Sequence, residues 1–420
     1  MCSELLRIPV EIGGVPILGF GVLAALWLLG WGVVMGRHAV RRGVDGDFWA
    51  YAQPAAIGLV VLLLAPRFAP AGVPIRGYGV MLLIGISVGV AMAVHRAQRH
   101  GIAADTIFGL AFWLFVAGIV GARAFFVIEY WETRFARRPA IDTLVDVLRF
   151  TEGGLVVYGS VIGGLAAFVV YCLRLKLPVR GMADLVAPCF LAGLAIGRIG
   201  CLLNGCCYGG QTDAPWAVTF PPDSPPYMDQ LVHGELHGLR IEEAPTGVVT
   251  RVGGEVRRVE SISGQPVANL NDVAEVLGAA AYAGQPVTVR LADGQTIEAP
   301  PTTRQRSLPV HPTQVYSSVN AALLAWLLWS WFPSRRRDGE VALLLFTLYP
   351  ISRFLLEAIR TDEQAIFGTG LSISQNVSLV VLVLAAVGWA LLLRTPPGRS
   401  LVERPLAPGD SARTTPASAA

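Results

Sequence analysis

Long apolar runs separated by short polar connections dominate this chain. Nine of them, at 17–35, 48–66, 78–94, 107–128, 155–173, 183–203, 315–331, 341–359 and 373–393, come close to the ~20 residues that carry a helix across a bilayer. The second is the weakest, because Gln53 and Pro54 interrupt it. The first leads into further runs without a cleavage site, so it reads as a span and not as a cleavable signal. The pattern predicts an all-α polytopic membrane protein with about nine transmembrane helices and a small α+β external insert.

Two polar stretches break the rhythm. Residues 131–150, WETRFARRPAIDTLVDVLRF, carry apolar positions at helical spacing with arginines between them. Such an arm lies on a headgroup layer or on the protein's own outer face. The second stretch, 205–314, turns soluble in composition from about 247 to 300. It predicts strands at GVVTRV and RRVESI, a helix at NDVAEVLGAAAYA with Asn269 or Asn271 near its cap, then a strand at PVTVRL and a DG turn before QTIEA. That order resembles the second half of a PDZ-like domain. The resemblance implies a groove for an extended peptide or protein ligand, and a purely structural insert is the equal alternative.

The predicted division is an accessory hairpin at 1–75, a core at 76–227 and 308–394, an insert at 228–307 with its PDZ-like part at about 247–300, and a disordered cytoplasmic tail at 395–420.

Charge sets the expected orientation. The basic segments 37–42, 95–99, 174–180, 335–337 and 394–404 fall at alternate connections and belong on the cytoplasmic side. The N-terminus and segments 131–153, 205–314 and 360–372 then face outward. A hydrophobic fraction of 53% against 15% charged residues, with a mean hydropathy of +0.54, fits this class. The net charge of +3 is topological in origin, and no nucleic-acid signature is present.

Six cysteines make no disulfide framework. Cys172 and Cys189 lie in spans and read as small apolar filler. Cys201, Cys206 and Cys207 lie near the outer surface, where an oxidising compartment would allow two to pair. The spacing is not C-x-x-C and only distant histidines would complete a zinc site, so no metal is expected.

The candidate chemistry begins with arginines inside apolar runs. A guanidinium stays charged, and in a bilayer it needs a partner, a wet cavity or a bound anion. Arg198 lies in GRIGCLLNGCCYGG (197–210), followed by Asn204 near the surface. Arg353, Glu357 and Arg360 in RFLLEAIR fall at i, i+4 and i+7 of one helix face, where two cations to one carboxylate suit an added phosphate. HPTQVY (311–316) stands at the mouth of the seventh run, with Pro312 suited to a first helical turn. GGLVVYGSVIGG (153–164) places Tyr158 before a glycine-rich helix start. All four meet the outer leaflet in the expected topology.

Taken in order, these segments resemble the prolipoprotein diacylglyceryl transferase family over roughly 76–222 and 308–394. The resemblance rests on Tyr78-Gly79, GAR with Arg123, GGLVVYGSVIGG, ADLVAP (183–188), GRIGCLLNG, PWAVTFP (215–221), HPTQVY and RFLLEAIR followed by TDEQ (361–364). It implies transfer of the diacylglyceryl group of phosphatidylglycerol to the lipobox cysteine of a preprolipoprotein in the bacterial inner membrane, on its outer side, without cofactor or metal. By motif position it implies Arg198, Arg353 and Tyr158 as catalytic residues. Tyr78, Arg123, Gly159, Asn204, His311, Gln314, Tyr316, Glu357 and Arg360 are implied to line the substrate site.

The family's first asparagine and its glutamate in GRxGNFxNGE are Cys201 and Cys206 here, its HGG histidine is Tyr158, and the last glutamate of HPSQLYE is Ser317. The thiol's base is therefore Tyr158, His311, Glu357, or none if arginine charge acidifies the thiol enough. A lipid-binding paralogue, or a scaffold recruiting partners through the insert, are the competing readings.

Overall fold

Every one of the nine apolar runs forms a helix. The computed structural model describes residues 4–43, 46–135, 139–148, 154, 156–222, 224–244, 247–252, 254–302, 305–360 and 370–401. In chain order the helices are α1 Val22–Arg42, α2 Gly46–Phe68, α3 Gly77–Arg99, α4 Ala104–Glu129, α5 Ala140–Leu148, α6 Val157–Arg174, α7 Val179–Asn204, α8 Pro225–Val232, α9 Leu270–Ala283, α10 Thr313–Trp331, α11 Glu340–Glu357 and α12 Ile373–Leu393. Among the described residues, seven helices (α1, α3, α4, α6, α7, α10 and α12) are long and apolar enough to cross a membrane. In α2 the apolar part is Ala55–Phe68, and α11 carries Glu340, Arg353 and Glu357 within its 18 residues. The helices leave large apolar side chains bare: Phe112, Trp113 and Phe115 are 60%, 52% and 59% exposed. Such a surface is at home in lipid. This is a multi-pass membrane protein.

The chain divides into two compact units. The first comprises Met1–Met81, Leu203–Cys206 and Phe220–Arg306. At its start β1 (Glu4–Ile8) pairs antiparallel with β4 (Val73–Arg76), while β2 (Glu11–Ile12) and β3 (Val15–Pro16) form a hairpin. Its turn residues Gly13 and Gly14 have φ of 57° and 81°, the left-handed pair that a tight two-residue turn demands. Helices α1 and α2 lie close, with the Trp27 indole N–H donating to the Ala55 carbonyl at 2.9 Å.

The insert is a five-stranded antiparallel sheet in the order β10-β9-β7-β6-β5, from β5 (Ile241–Ala244), β6 (Gly247–Val252), β7 (Glu255–Ile262), β9 (Val287–Leu291) and β10 (Thr296–Ala299), with β8 (Gln265–Pro266) paired to β7. Helix α9 adds Val273 and Leu277, both fully buried, to a core with Ile262, Val289 and Leu291. Of the two expected caps, Asn269 is the one used. Its side chain accepts from the Asn271 and Asp272 amides, and Asp272 answers the Asn269 amide in a capping box.

The second unit comprises Leu82–Leu202, Cys207–Thr219 and Ser307–Ala420. Glycines let its helices touch backbone to backbone. A Cβ on Gly159 would stand 2.3 Å from the Gly121 carbonyl oxygen, and one on Gly163 would stand 2.3 Å from that of Ala117, so α4 and α6 cross on hydrogen alone. Replacing Gly159 with valine is expected to force that crossing apart, at a cost of about 1–3 kcal/mol for overpacking. Thermal unfolding in detergent measures this, and an unchanged midpoint would show the crossing to be loose.

At the opposite end of α7 from Arg198, buried charges tie three helices and the tail together. Asp184, fully buried, accepts from the amides of Gly339 at 2.7 Å and Ala342 at 2.9 Å, so it caps the N-terminus of α11 from another helix. Arg335, 1% exposed, lies 3.5 Å from Asp184 and donates to the carbonyls of Phe332 and Leu401 at 2.8 Å and 2.9 Å. Gly398 bridges Arg337, and the Ser400 amide donates to Asp338 at 2.6 Å. This corrects the expectation of disorder from residue 395: the segment through Leu401 is clasped by polar groups that would otherwise be buried without partners. The rest of the expected tail, 402–420, lies outside the described residues, as does TDEQ at 361–364.

Candidate functional site

Arg198 sits six residues before the end of α7, about 9 Å of helix rise below its terminus. It donates a side-chain hydrogen bond to Tyr349, and the thiols of Cys201 and Cys207 lie within its electrostatic reach. Tyr349 belongs to α11, as does Arg353 one turn later. Leu194, Arg198, Ser317, Asn320, Tyr349, Arg353 and Leu356 line one narrow cleft between α7, α10 and α11. Two guanidiniums distant in sequence therefore share one wall-to-wall space.

Arg353 is itself held from two sides. It donates to the Ser374 hydroxyl at 2.9 Å and forms an ion pair with Glu357. Glu357, 5% exposed, also lies 3.7 Å from Arg360. Three arginines against one carboxylate leave two positive charges in a site with helices on its sides.

The sequence puts Arg360 on the same helix, but α11 ends at Glu357. The Gly210 amide donates to the Ile359 carbonyl at 2.9 Å, and Gly209 bridges Arg360, pulling the chain out of the helix. The ion pair survives because the turn returns Arg360 beside its partner.

The strand-like segments after α7 and before α10 pair with each other. The Gly209 amide donates to the His311 carbonyl, and the His311 amide to the Gly210 carbonyl, each at 3.0 Å. Val310 bridges both Gln211 and Val218. The Tyr316 hydroxyl accepts from the Trp216 indole at 2.6 Å and lies 3.3 Å from His311 Nδ1. Pro312 is the N-cap of α10, and Gln314 in its first turn is 1% exposed. His311, Gln314 and Tyr316 thus belong to one corner.

Arg123 has other employment. It donates to the carbonyls of Val147 at 3.0 Å, Gly154 at 3.0 Å and Asp146, and stacks over Phe126 at 5.0 Å. Asp146 and Val147 end the arm helix α5, so a cation here satisfies its last carbonyls and its dipole. Arg123 does not line the cleft; it fastens the arm to α4 and to the approach of α6. Tyr158 and Gly159 occupy the first turn of α6, Gly159 buried against α4 and Tyr158 half-buried. Tyr78 stands in the first turn of α3, and Asn204 is the last residue of α7.

Sequence reasoning passed over Tyr349, Ser374, Asn320 and Trp216. Tyr349 had a signal: it lies four residues before Arg353, hence on the same helix face. Asn320, whose amide donates to the Ser352 hydroxyl at 2.8 Å, carried none.

The fold and the cleft define a class: a polytopic membrane protein with fixed positive charge set between its helices, suited to an anionic group at membrane depth. A family model described as prolipoprotein diacylglyceryl transferase matches residues 66–391. The chain belongs to the prolipoprotein diacylglyceryl transferase family. A phosphatidylglycerol–prolipoprotein diacylglyceryl transferase of Rhodopirellula baltica is 35% identical, covering 92% of this chain and 88% of that protein. Similarly named proteins of Clostridium perfringens, 26% identical over 74% of this chain and 89% of the relative, and of Gloeobacter violaceus, 28% over 77% and 91%, are also similar.

Proposed function

We propose that this protein transfers the diacylglyceryl group of phosphatidylglycerol to the lipobox cysteine of preprolipoproteins, in the bacterial inner membrane with its site facing outward. The observation that carries this reading is the shared cleft of Arg198 and Arg353. The reaction is a displacement: a thiolate attacks a glycerol carbon, a carbon–sulfur bond forms, and the carbon–oxygen bond to phosphate breaks. Glycerol phosphate leaves. Its developing charge is what two preorganised guanidiniums stabilise.

Outward orientation has a geometric support. Arg198 lies 19 residues along α7 from the basic 174–180 connection, ~28 Å of helix rise, and Arg353 is 13 residues along α11 from the basic 335–337 turn, ~20 Å. Basic connections face the cytoplasm, so both arginines belong near the other leaflet.

Proton removal from the acceptor thiol falls to Tyr158 in this reading. Glu357 is already committed to ion pairs with Arg353 and Arg360. His311 is the second candidate, set beside the Tyr316 hydroxyl.

The test is purified protein with phosphatidylglycerol and a lipobox peptide, with the thioether product followed by mass spectrometry. Product is expected; bound lipid without product would overturn the reading. Tyr158→Phe is expected to lower kcat by about 10²-fold or more, the scale of a lost general base. Near-normal turnover would exclude the tyrosine hydroxyl.

A further inference from the structure

We propose that Cys201 and Cys207 form a binding site for a soft monovalent d10 cation, copper(I) being the biological representative. Their sulfur atoms lie within 4.8 Å of each other, and both residues are half-buried. Cys201 occupies the last turn of α7. The chain then reverses through Gly205 at φ 78° and Cys207 at φ 59°. A left-handed conformation is ordinary for glycine and costs a side-chain-bearing residue of order 1–3 kcal/mol, persisting only where its surroundings impose it. Here the Thr313 hydroxyl donates to the Cys207 carbonyl at 2.6 Å, and the Gly209 amide donates to the His311 carbonyl at 3.0 Å. The unusual backbone is what returns the second sulfur to the first.

Distance, charge and softness select the ligand together. Two metal–thiolate bonds of the length found at zinc, about 2.3 Å, span about 4.6 Å when set in line, which falls inside the 4.8 Å bound on these sulfurs. Thiolates favour copper(I) over harder ions. On binding, two thiols release two protons, so a monovalent ion leaves a complex of charge minus one and a divalent ion leaves a neutral one. The guanidinium of Arg198, within electrostatic reach of both sulfurs, favours the anionic complex. Two donors suffice for this geometry, and no histidine is needed. The site does not depend on the transfer reaction.

The experiment uses the full, reduced protein in detergent, with copper(I) supplied as its bicinchoninate complex. One ion per chain is expected to leave the chelator, with two sulfur neighbours at one distance by X-ray absorption. Cys201→Ser and Cys207→Ser should each weaken binding at least tenfold. Mapped alkylation of the wild type gives a readout independent of variant folding: copper(I) should protect Cys201 and Cys207 from N-ethylmaleimide. Binding no tighter than in the double serine variant, or unprotected alkylation at either cysteine, would overturn the proposal.

Discussion

Lysine in place of Arg353 will leave a protein that inserts normally but transfers diacylglyceryl groups at least about 10²-fold more slowly, the scale of one lost charge-stabilising donor. Charge alone is not what Arg353 contributes. Its guanidinium meets the Ser374 hydroxyl at 2.9 Å and the Glu357 carboxylate while lining the cleft shared with Arg198. A lysine ammonium is a point charge on a flexible stem and cannot hold those directions in one plane. Arg198→Ala, which removes the opposite cation, is expected to lower transfer by about 10²–10³-fold. Transfer measured with saturating phosphatidylglycerol separates loss of kcat from loss of lipid affinity. Full activity in either variant would end the view that paired arginines carry the leaving phosphate.

The second large effect lies at the far end of α7. Asp184→Asn is expected to destabilise the protein by about 3–5 kcal/mol, the range for breaking a buried ion pair and leaving one charge without its partner. The asparagine carbonyl would still accept one of the amides of Gly339 and Ala342. Its amide group would then face the remaining donor or Arg335, which is 1% exposed and keeps its charge. Asp338, 3.6 Å from Arg335, offers only partial compensation. Thermal unfolding in detergent reads the loss, expected as about 2–4 °C per kcal/mol for a domain of this size class. A midpoint within a degree of wild type would show that the capped end of α11 is not a cooperative part of the fold.

Both predictions concern residues inside apolar runs, and they were unequally visible beforehand. Arg198 and Arg353 stood out because an ionised side chain amid lipid-facing residues requires an explanation by itself. Asp184 did not, since it lies near the start of its run, where a carboxylate passes for an interfacial residue. Its partners, Gly339 and Ala342, are more than 150 residues away, and the bonds join side chain to backbone. No side-chain pattern records such a bond. Arg123 entered only through the GAR segment of the family resemblance and was not legible as a fastener, because the carbonyls of Asp146, Val147 and Gly154 belong to any sequence. The same holds for the end of the chain, where Gly398 and Ser400 are ordered by Arg337 and Asp338 despite a composition that reads as disordered.

The amino-acid sequence alone determined the helices, the alternation of basic connections, an asparagine cap at 269 or 271 and the need for charged residues to find partners within the membrane. These follow from local terms: hydrocarbon thickness, helical period and the cost of desolvating a charge. Only the tertiary structure decided that Arg198 meets Tyr349 and faces Arg353 across one cleft, that Arg360 leaves the helix yet keeps Glu357, and that Asp184 caps α11. Helical periodicity says which side chains share a face. It carries no information about which helix that face will meet, because lipid-exposed and helix-packed apolar surfaces are written with the same residues.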